Sequence, residues 1–222
     1  MNILILSDSH GHLGMRDFIR KADVDFVLHC GDLSLYSEME KPTYFIKGNH
    51  EDYNLLEAMT NGTLEFKNLR YIKNGEIISL SKGKEIIKIL GFGGNYSPKF
   101  YFADKLYHDR RRHFTEKDFN NAIKHKHIDI LLTHEVPKGL HKIKLGIYEE
   151  DLGNEVINKL IEETKPKFAF SGHYHRYNEM YIGDTRCIGL PRYINGNCIL
   201  DTDNNILYTE SSLDLRSGVT LS

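Results

Sequence analysis

Nowhere in this 222-residue chain do apolar residues run unbroken for the roughly eighteen positions that a membrane-spanning helix needs, so a helical span is excluded. The apolar start, Ile3 to Leu6, is too short for the core of a secretory signal. It runs straight into Ser7-Asp8-Ser9-His10 and reads as a first strand. Cysteine is scarce: Cys30, Cys187 and Cys198 are odd in number, far apart and form no CxxC pair. That argues against a disulfide framework or a thiolate zinc site, and the expected compartment is the reducing cytoplasm. Neither sign of charge dominates. A formal net charge of -2 excludes a global basic field that would draw nucleic acid by charge alone, though not a local basic patch. Internal repeats, low-complexity stretches and composition breaks are also missing. The expectation is one domain over residues 1–222, with the last ten or so, Leu213 to Ser222, frayed.

What is present alternates. Asn2 to Ser7 reads as a strand and Leu13 to Ala22 as an amphipathic helix. Phe26 to His29 and Thr43 to Ile46 are further strands, and Tyr53 to Met59 a helix. Strands alternating with helices imply parallel pairing through crossovers, hence an α/β sheet. Farther on, Glu76 to Leu80 and Glu85 to Leu90 flank Ser81-Lys82-Gly83-Lys84 as a hairpin. Thr115 with Asp118 resembles a capping box opening a helix through Asn120 to Lys124. Ile128 to Leu132 is a strand, Glu155 to Glu163 a helix stopped by Pro166, and Phe168 to Phe170 a strand. Short strands follow to about Tyr208.

Five of these strands end in polar clusters: Asp8-Ser9-His10, Gly31-Asp32, Gly48-Asn49-His50-Glu51, Thr133-His134 and Gly172-His173-Tyr174-His175. Ligands of open α/β sheets bind at the carboxyl ends of strands, so distant segments are expected to meet at one rim. Asp8, His10, Asp32, Asn49, His134, His173 and His175 supply seven oxygen or nitrogen donors. That is too many for one tetrahedral zinc and suits two cations sharing a carboxylate. Mixed imidazole and carboxylate favour manganese, iron, zinc or nickel over calcium or magnesium. The glycines are expected to let the backbone turn tightly.

Each fragment alone is common by chance; in this order they form a pattern. The clusters resemble the calcineurin-like metallophosphoesterase signature, with all five blocks in family order over roughly residues 1 to 190. The resemblance implies a four-layer α-β-β-α sandwich of two mixed sheets. It implies that Asp8, His10, Asp32 and His175 bind a first metal, and that Asp32, Asn49, His134 and His173 bind a second, with Asp32 bridging. Manganese or iron comes first, with zinc or nickel as alternatives. His50 matches the family's catalytic histidine, which is not a ligand. Two such cations generate a bridging hydroxide at neutral pH, and a histidine at position 50 assists the leaving-group oxygen.

The resemblance leaves the substrate open. The first expectation is hydrolysis of phosphomonoesters or phosphodiesters on a phosphorylated small molecule or nucleotide. Pro42 to Glu51, followed by a Gly-rich stretch and an aromatic-basic insert, is similar to the RNA lariat-debranching branch. That branch has Cys where this chain has Asp8, and a longer C-terminal part. A nucleic-acid phosphodiester is therefore the second expectation, and a metal-binding interaction scaffold the third. The family's protein phosphatases extend Gly-Asp with Asp-Arg-Gly, whereas Leu33-Ser34-Leu35-Tyr36 follows here.

Around the clusters the readings are plainer. His29 either orients a ligand or packs at a strand end, and Cys30 reads as a small buried side chain. His12 reads as exposed rather than as support for a ligand. His108, His113, His125, His127 and His141 read as surface residues. Glu51 or Asp52 is a candidate partner for His50. Gly93 to Thr115 carries Tyr96, Phe100, Tyr101, Phe102, Tyr107 and Arg110-Arg111-Arg112. Such interleaving suits base stacking and phosphate contacts, and equally a partly buried loop ahead of a solvated charge run.

Overall fold

Period-two alternation decides which way each strand faces. In the computed structural model, which describes residues 1–146, 148–203 and 206–210, strand β1 (Asn2–Leu6) turns Ile3 and Ile5 one way and Leu4 and Leu6 the other. The frayed end expected at Leu213 to Ser222 lies outside the described residues. β1 continues in parallel with β2 (Phe26–His29), β3 (Thr43–Phe45) and β4 (Leu69–Tyr71). On its other side β1 pairs antiparallel with β13 (Asn197–Asp201), which pairs with β14 (Ile206–Glu210).

A second six-stranded sheet has a parallel centre of β12 (Thr185–Gly189), β10 (Phe168–Ser171), β7 (Ile130–Thr133) and β6 (Glu85–Phe92). Antiparallel edge strands β11 (Asn178–Ile182) and β5 (Ile77–Lys82) flank it. The inner faces pack together: Ile3, Ile5 and Leu28 of the first sheet share a core with Ile89, Ile130, Leu132 and Phe170 of the second.

The outer faces carry helices. Leu4 and Leu6 meet Met15 and Ile19 of α1 (Gly14–Lys21) and Leu56 of α2 (Tyr53–Thr60). Leu90, Phe92 and Leu131 meet Ala122 of α3 (Glu116–Ala122) and Ile157 and Leu160 of α4 (Glu155–Thr164). The result is the expected four-layer α-β-β-α sandwich. Each fully buried aliphatic side chain contributes roughly 1.5–3 kcal/mol, so a one-residue slip would expose a whole face. Register is firmly set.

Local signals place the helices. The Thr115–Asp118 capping box forms and opens the helix at Glu116, which ends at Ala122, short of Lys124. Asp52 accepts from the N–H groups of Asn54 and Leu55 at 3.0 and 3.1 Å and so caps α2. Lys165 closes α4 in the left-handed region, just before Pro166. Two features were not foreseen. β4 is three residues long, too short to show a period. The hairpin of β8 (Lys142–Leu145) and β9 (Tyr148–Asp151) pairs Lys-Ile-Lys-Leu with Tyr-Glu-Glu-Asp, and the acidic run in β9 shows no period of two. Among the described residues no helix is long and apolar enough to cross a membrane.

Candidate metal centre

Parallel strands end on the same side of their sheet, and both sheets aim those ends at one rim. β1 delivers Asp8 and His10, β2 Asp32, and β3 Asn49 and His50; β7 delivers His134, and β10 His173 and His175. Asp8, Asp32 and His134 are buried there. Asp8, His10 and His175 offer donor atoms within 4.8 Å of one another, as do Asp8, Asp32 and His134. Asp8 is common to both groups, where the resemblance implies Asp32. Asp32 nonetheless reaches both sides: its Oδ2 lies 3.5 Å from His134 Nε2 and 3.9 Å from His10 Nε2. His173 packs its ring against that of His134, with centroids 4.9 Å apart, and its backbone N–H donates to Asp8 Oδ2 at 3.0 Å.

The donor atoms face each other in a way that asks for a cation. His134 Nδ1 donates to the Cys30 carbonyl at 2.8 Å, which leaves a lone pair on Nε2. That lone pair points at Asn49 Oδ1, 2.9 Å away. His10 Nε2 and His175 Nε2 lie 3.2 Å apart, and His175 Nε2 is 3.3 Å from Asp8 Oδ1. Each of these atoms carries a lone pair in one protonation state of its group, and a divalent ion between them would turn the arrangement into ligation. The set fits hard-to-borderline cations.

Protonation agrees. Burial pushes the Asp8 carboxyl up, but His175, His134 and the Ser7 hydroxyl outweigh it and hold Asp8 down to about 2. Burial also depresses His10, and takes His173 down to about 4, so these imidazoles stay neutral with lone pairs free. His134 runs the other way: burial lowers it, but Asp32, Asp8 and the Cys30 hydrogen bond together raise it.

The backbone at the rim is unusual. Asp8, His10, Asp32, His173 and His175 have φ of 54°, 46°, 55°, 74° and 57°. Left-handed backbone at residues with a Cβ costs about 1 kcal/mol or more each, and clusters at functional sites. The candidate ligands themselves therefore make tight turns that were expected of the glycines. Of the four glycines adjoining the donors, Gly11 and Gly31 do take a positive φ, +72° and +91°. Gly48 and Gly172 serve clearance instead. A Cβ on Gly48 would stand 2.0 Å from Asp32 Oδ1, and one on Gly172 1.9 Å from Ser7 Oγ and 2.5 Å from Asp8 Oδ2.

Neighbours hold the ligand loops. Glu51 does not serve His50: its carboxylate accepts from the N–H groups of Leu33, Ser34 and Gly48 and from the Tyr36 hydroxyl. It binds the Asp32 loop to the Asn49 loop. Asp52 is occupied in capping α2. His29 is buried with Nε2 3.1 Å from Ser9 Oγ, and Ser9 Oγ donates to the Leu33 carbonyl at 2.9 Å. His12 is exposed as expected, yet its Nδ1 accepts from Gly14 N–H and the Tyr193 hydroxyl.

His50 is pinned by its backbone alone, its N–H donating to Asp32 Oδ1 at 2.7 Å. Its imidazole is exposed, 5.6 Å from the His10 ring between centroids. Arg192 was not singled out in the sequence. Its neighbours are tied to both sheets at the rim, Leu190 N–H to Ser171 O at 2.8 Å and Tyr193 N–H to Ser7 O at 2.9 Å. Its half-buried guanidinium adds positive charge beside His10, and its shielded Nε has no acceptor among the described residues.

His113 and His141 are buried, against the surface reading. The arginine run is not uniformly solvated. Arg111 is engaged by Asn54, Glu57 and the Tyr53 carbonyl, while Arg110 lies over the Phe100 ring at 5.1 Å.

Comparison with known proteins fits this geometry. The chain is 28% identical over 196 residues to a lariat debranching enzyme of Entamoeba histolytica, covering 77% of this chain and 54% of that protein. It is 27% identical over 248 residues to the lariat debranching enzyme of Saccharomyces cerevisiae, covering 98% of this chain and 60% of that protein. It thus spans little more than half of either relative. Among solved structures, a protein of Thermus thermophilus matches with a TM-score of 0.65 and 15% identity, covering 95% of this chain and 98% of that one. GAP50, the inner membrane complex anchor of Plasmodium, matches with a TM-score of 0.58 and 15% identity, covering 96% and 84%. These two similarities concern the fold. The family model of the calcineurin-like phosphoesterase superfamily domain matches residues 1–195, a stretch containing all five donor-bearing strand ends, and the chain belongs to that superfamily.

Proposed function

We propose that this protein is a phosphodiester hydrolase working with two divalent cations held by Asp8, His10, Asp32, Asn49, His134, His173 and His175. One observation carries the reading: oxygen and imidazole nitrogen atoms from both sheets converge at 2.9–3.5 Å, in two groups close enough to share a cation. Bound there, the cations supply a water of lowered pKa and positive charge for phosphoryl oxygens.

The chain's own residues do the rest. His50, exposed beside His10, hydrogen-bonds or protonates the leaving-group oxygen. Arg192, beside His10 and without an anionic partner among the described residues, meets the remaining phosphoryl charge. Similarity to proteins named lariat debranching enzymes supports a diester over a monoester.

A second observation favours a nucleic-acid diester. Phe100 stacks on His113 at 5.2 Å, with Arg110 and Lys99 at 5.1 and 5.6 Å from its ring. Phe102 and Tyr107 of the same segment are 73% and 57% exposed, aromatic surface of the kind on which bases stack.

The test is turnover of bis(4-nitrophenyl) phosphate and 4-nitrophenyl phosphate by protein loaded with manganese or iron. His50→Ala is expected to lower kcat by about 100-fold or more with metal content unchanged. Two bound metals without turnover of either compound, whichever of manganese, iron, zinc or nickel is supplied, would leave the metal-binding scaffold as the reading.

A further inference from the structure

The aromatic-basic excursion between β6 and α3 has one residue at both of its ends. The Lys47 carbonyl accepts from Gly94 N–H at 2.8 Å, where the chain leaves β6. The Lys47 ammonium donates to the carbonyls of Arg111 and His113, each at 2.7 Å, where the chain returns towards α3. The ends are also joined to each other, Asn95 N–H to Arg112 O at 3.0 Å and Phe114 N–H to Asn95 O at 3.3 Å. The approach is close: a Cβ on Gly93 would stand 2.3 Å from the Lys47 carbonyl oxygen. On the far side, Lys47 leads directly into Gly48, Asn49 and His50.

We propose that Lys47 is a positioning residue that registers the Phe100–Arg110 platform to Asn49 and His50, so that recognition of an extended substrate, rather than bond cleavage, passes through it. This rests on the hydrolase reading above. The chemistry suits lysine. A straight chain with three rotatable donors reaches two carbonyls at once, whereas a guanidinium presents its donors in a rigid plane. An apolar side chain of similar length fills the space and leaves both carbonyls unpaired. The link acts on placement, because neither carbonyl belongs to the donor cluster.

The experiment compares wild type, Lys47→Met and Lys47→Arg on two substrates, bis(4-nitrophenyl) phosphate and a single-stranded oligoribonucleotide. Oligonucleotide binding is followed in parallel by fluorescence anisotropy, and folding by thermal melting. For Lys47→Met, kcat and KM on the small diester are expected to stay within about twofold. The oligonucleotide KM and dissociation constant are expected to rise about tenfold, the scale of one lost base–aromatic stack. Lys47→Arg is expected to recover part of that loss. Phe100→Ala is expected to give a similar KM effect that does not add to that of Lys47→Met.

Equal losses on both substrates, or unchanged oligonucleotide affinity in Lys47→Met, would overturn the inference. So would a wild-type protein that cleaves the small diester and does not bind the oligonucleotide. A wild-type protein that binds the oligonucleotide but cleaves neither substrate would instead overturn the hydrolase reading, and the anisotropy series would still decide the role of Lys47.

Discussion

The two sheets bring different chemistry to the rim. The first supplies the oxygen donors, Asp8, Asp32 and Asn49, together with His10; the second supplies imidazoles alone, His134, His173 and His175. Both groups able to hold a cation draw on both sheets, Asp8 and His10 with His175, and Asp8 and Asp32 with His134. The hydrogen bonds that aim these side chains also cross the seam, from His134 Nδ1 to Cys30 O at 2.8 Å and from His173 N–H to Asp8 Oδ2 at 3.0 Å. Neither half of the sandwich makes a site alone. Metal binding at the proposed site would therefore be linked to closure of the two sheets.

That contrast can be broken in three ways. Removing Asp8, which both groups share, is expected to have the largest effect. Metal analysis of Asp8→Ala should show both cations lost and turnover near background, whereas His175→Ala should lose one. Equal stoichiometry in the two variants would refute the shared role.

Closing the seam sterically comes next. Gly172→Ala places a Cβ 1.9 Å from Ser7 Oγ across the sheets. Overpacking of this kind costs about 1–3 kcal/mol, so denaturant unfolding should show lower stability, with weaker metal retention. An unchanged midpoint would mean that the sheets part more easily than the geometry allows.

The smallest effect concerns pH. Burial holds His29 down to about 4, against an ordinary 6.5. Between those values the unfolded chain binds a proton that the native chain refuses, so stability falls as pH drops. The loss is about 1 kcal/mol at pH 5.5. Urea titrations of metal-stripped protein should show this slope, and His29→Asn should flatten it. A slope that His29→Asn leaves untouched would assign the proton elsewhere.

Legibility followed locality. β2 runs over Phe26–His29 as read from the sequence, because its apolar run and turn residues lie side by side. The five donor clusters were visible for the same reason: strand ends are local, and parallel strands must end together. What escaped depends on atoms far away in the chain. The clearance at Gly172 is set by Ser7 and Asp8, and the aim of His134 by Cys30 on the other sheet. Arg111 looked solvated because Asn54 and Glu57 are more than fifty positions earlier. His113 and His141 looked like surface residues because burial of a lone histidine leaves no period to read. Lys47 carried no signal at all, since its acceptors are two main-chain carbonyls.

The reversed φ angles at the rim bear on whether this site is in use. Glycine would sit at Asp8, His10, Asp32, His173 and His175 without the steric penalty those side chains accept, about 1 kcal/mol at each position. A fold whose whole margin is roughly 5–15 kcal/mol has much to gain by relaxing such positions if nothing depends on them. Ser34, Asn68, His108, His127 and Lys165 also carry a side chain at positive φ, so strain alone does not mark a site; what sets the rim apart is that five candidate donors share it within one cluster.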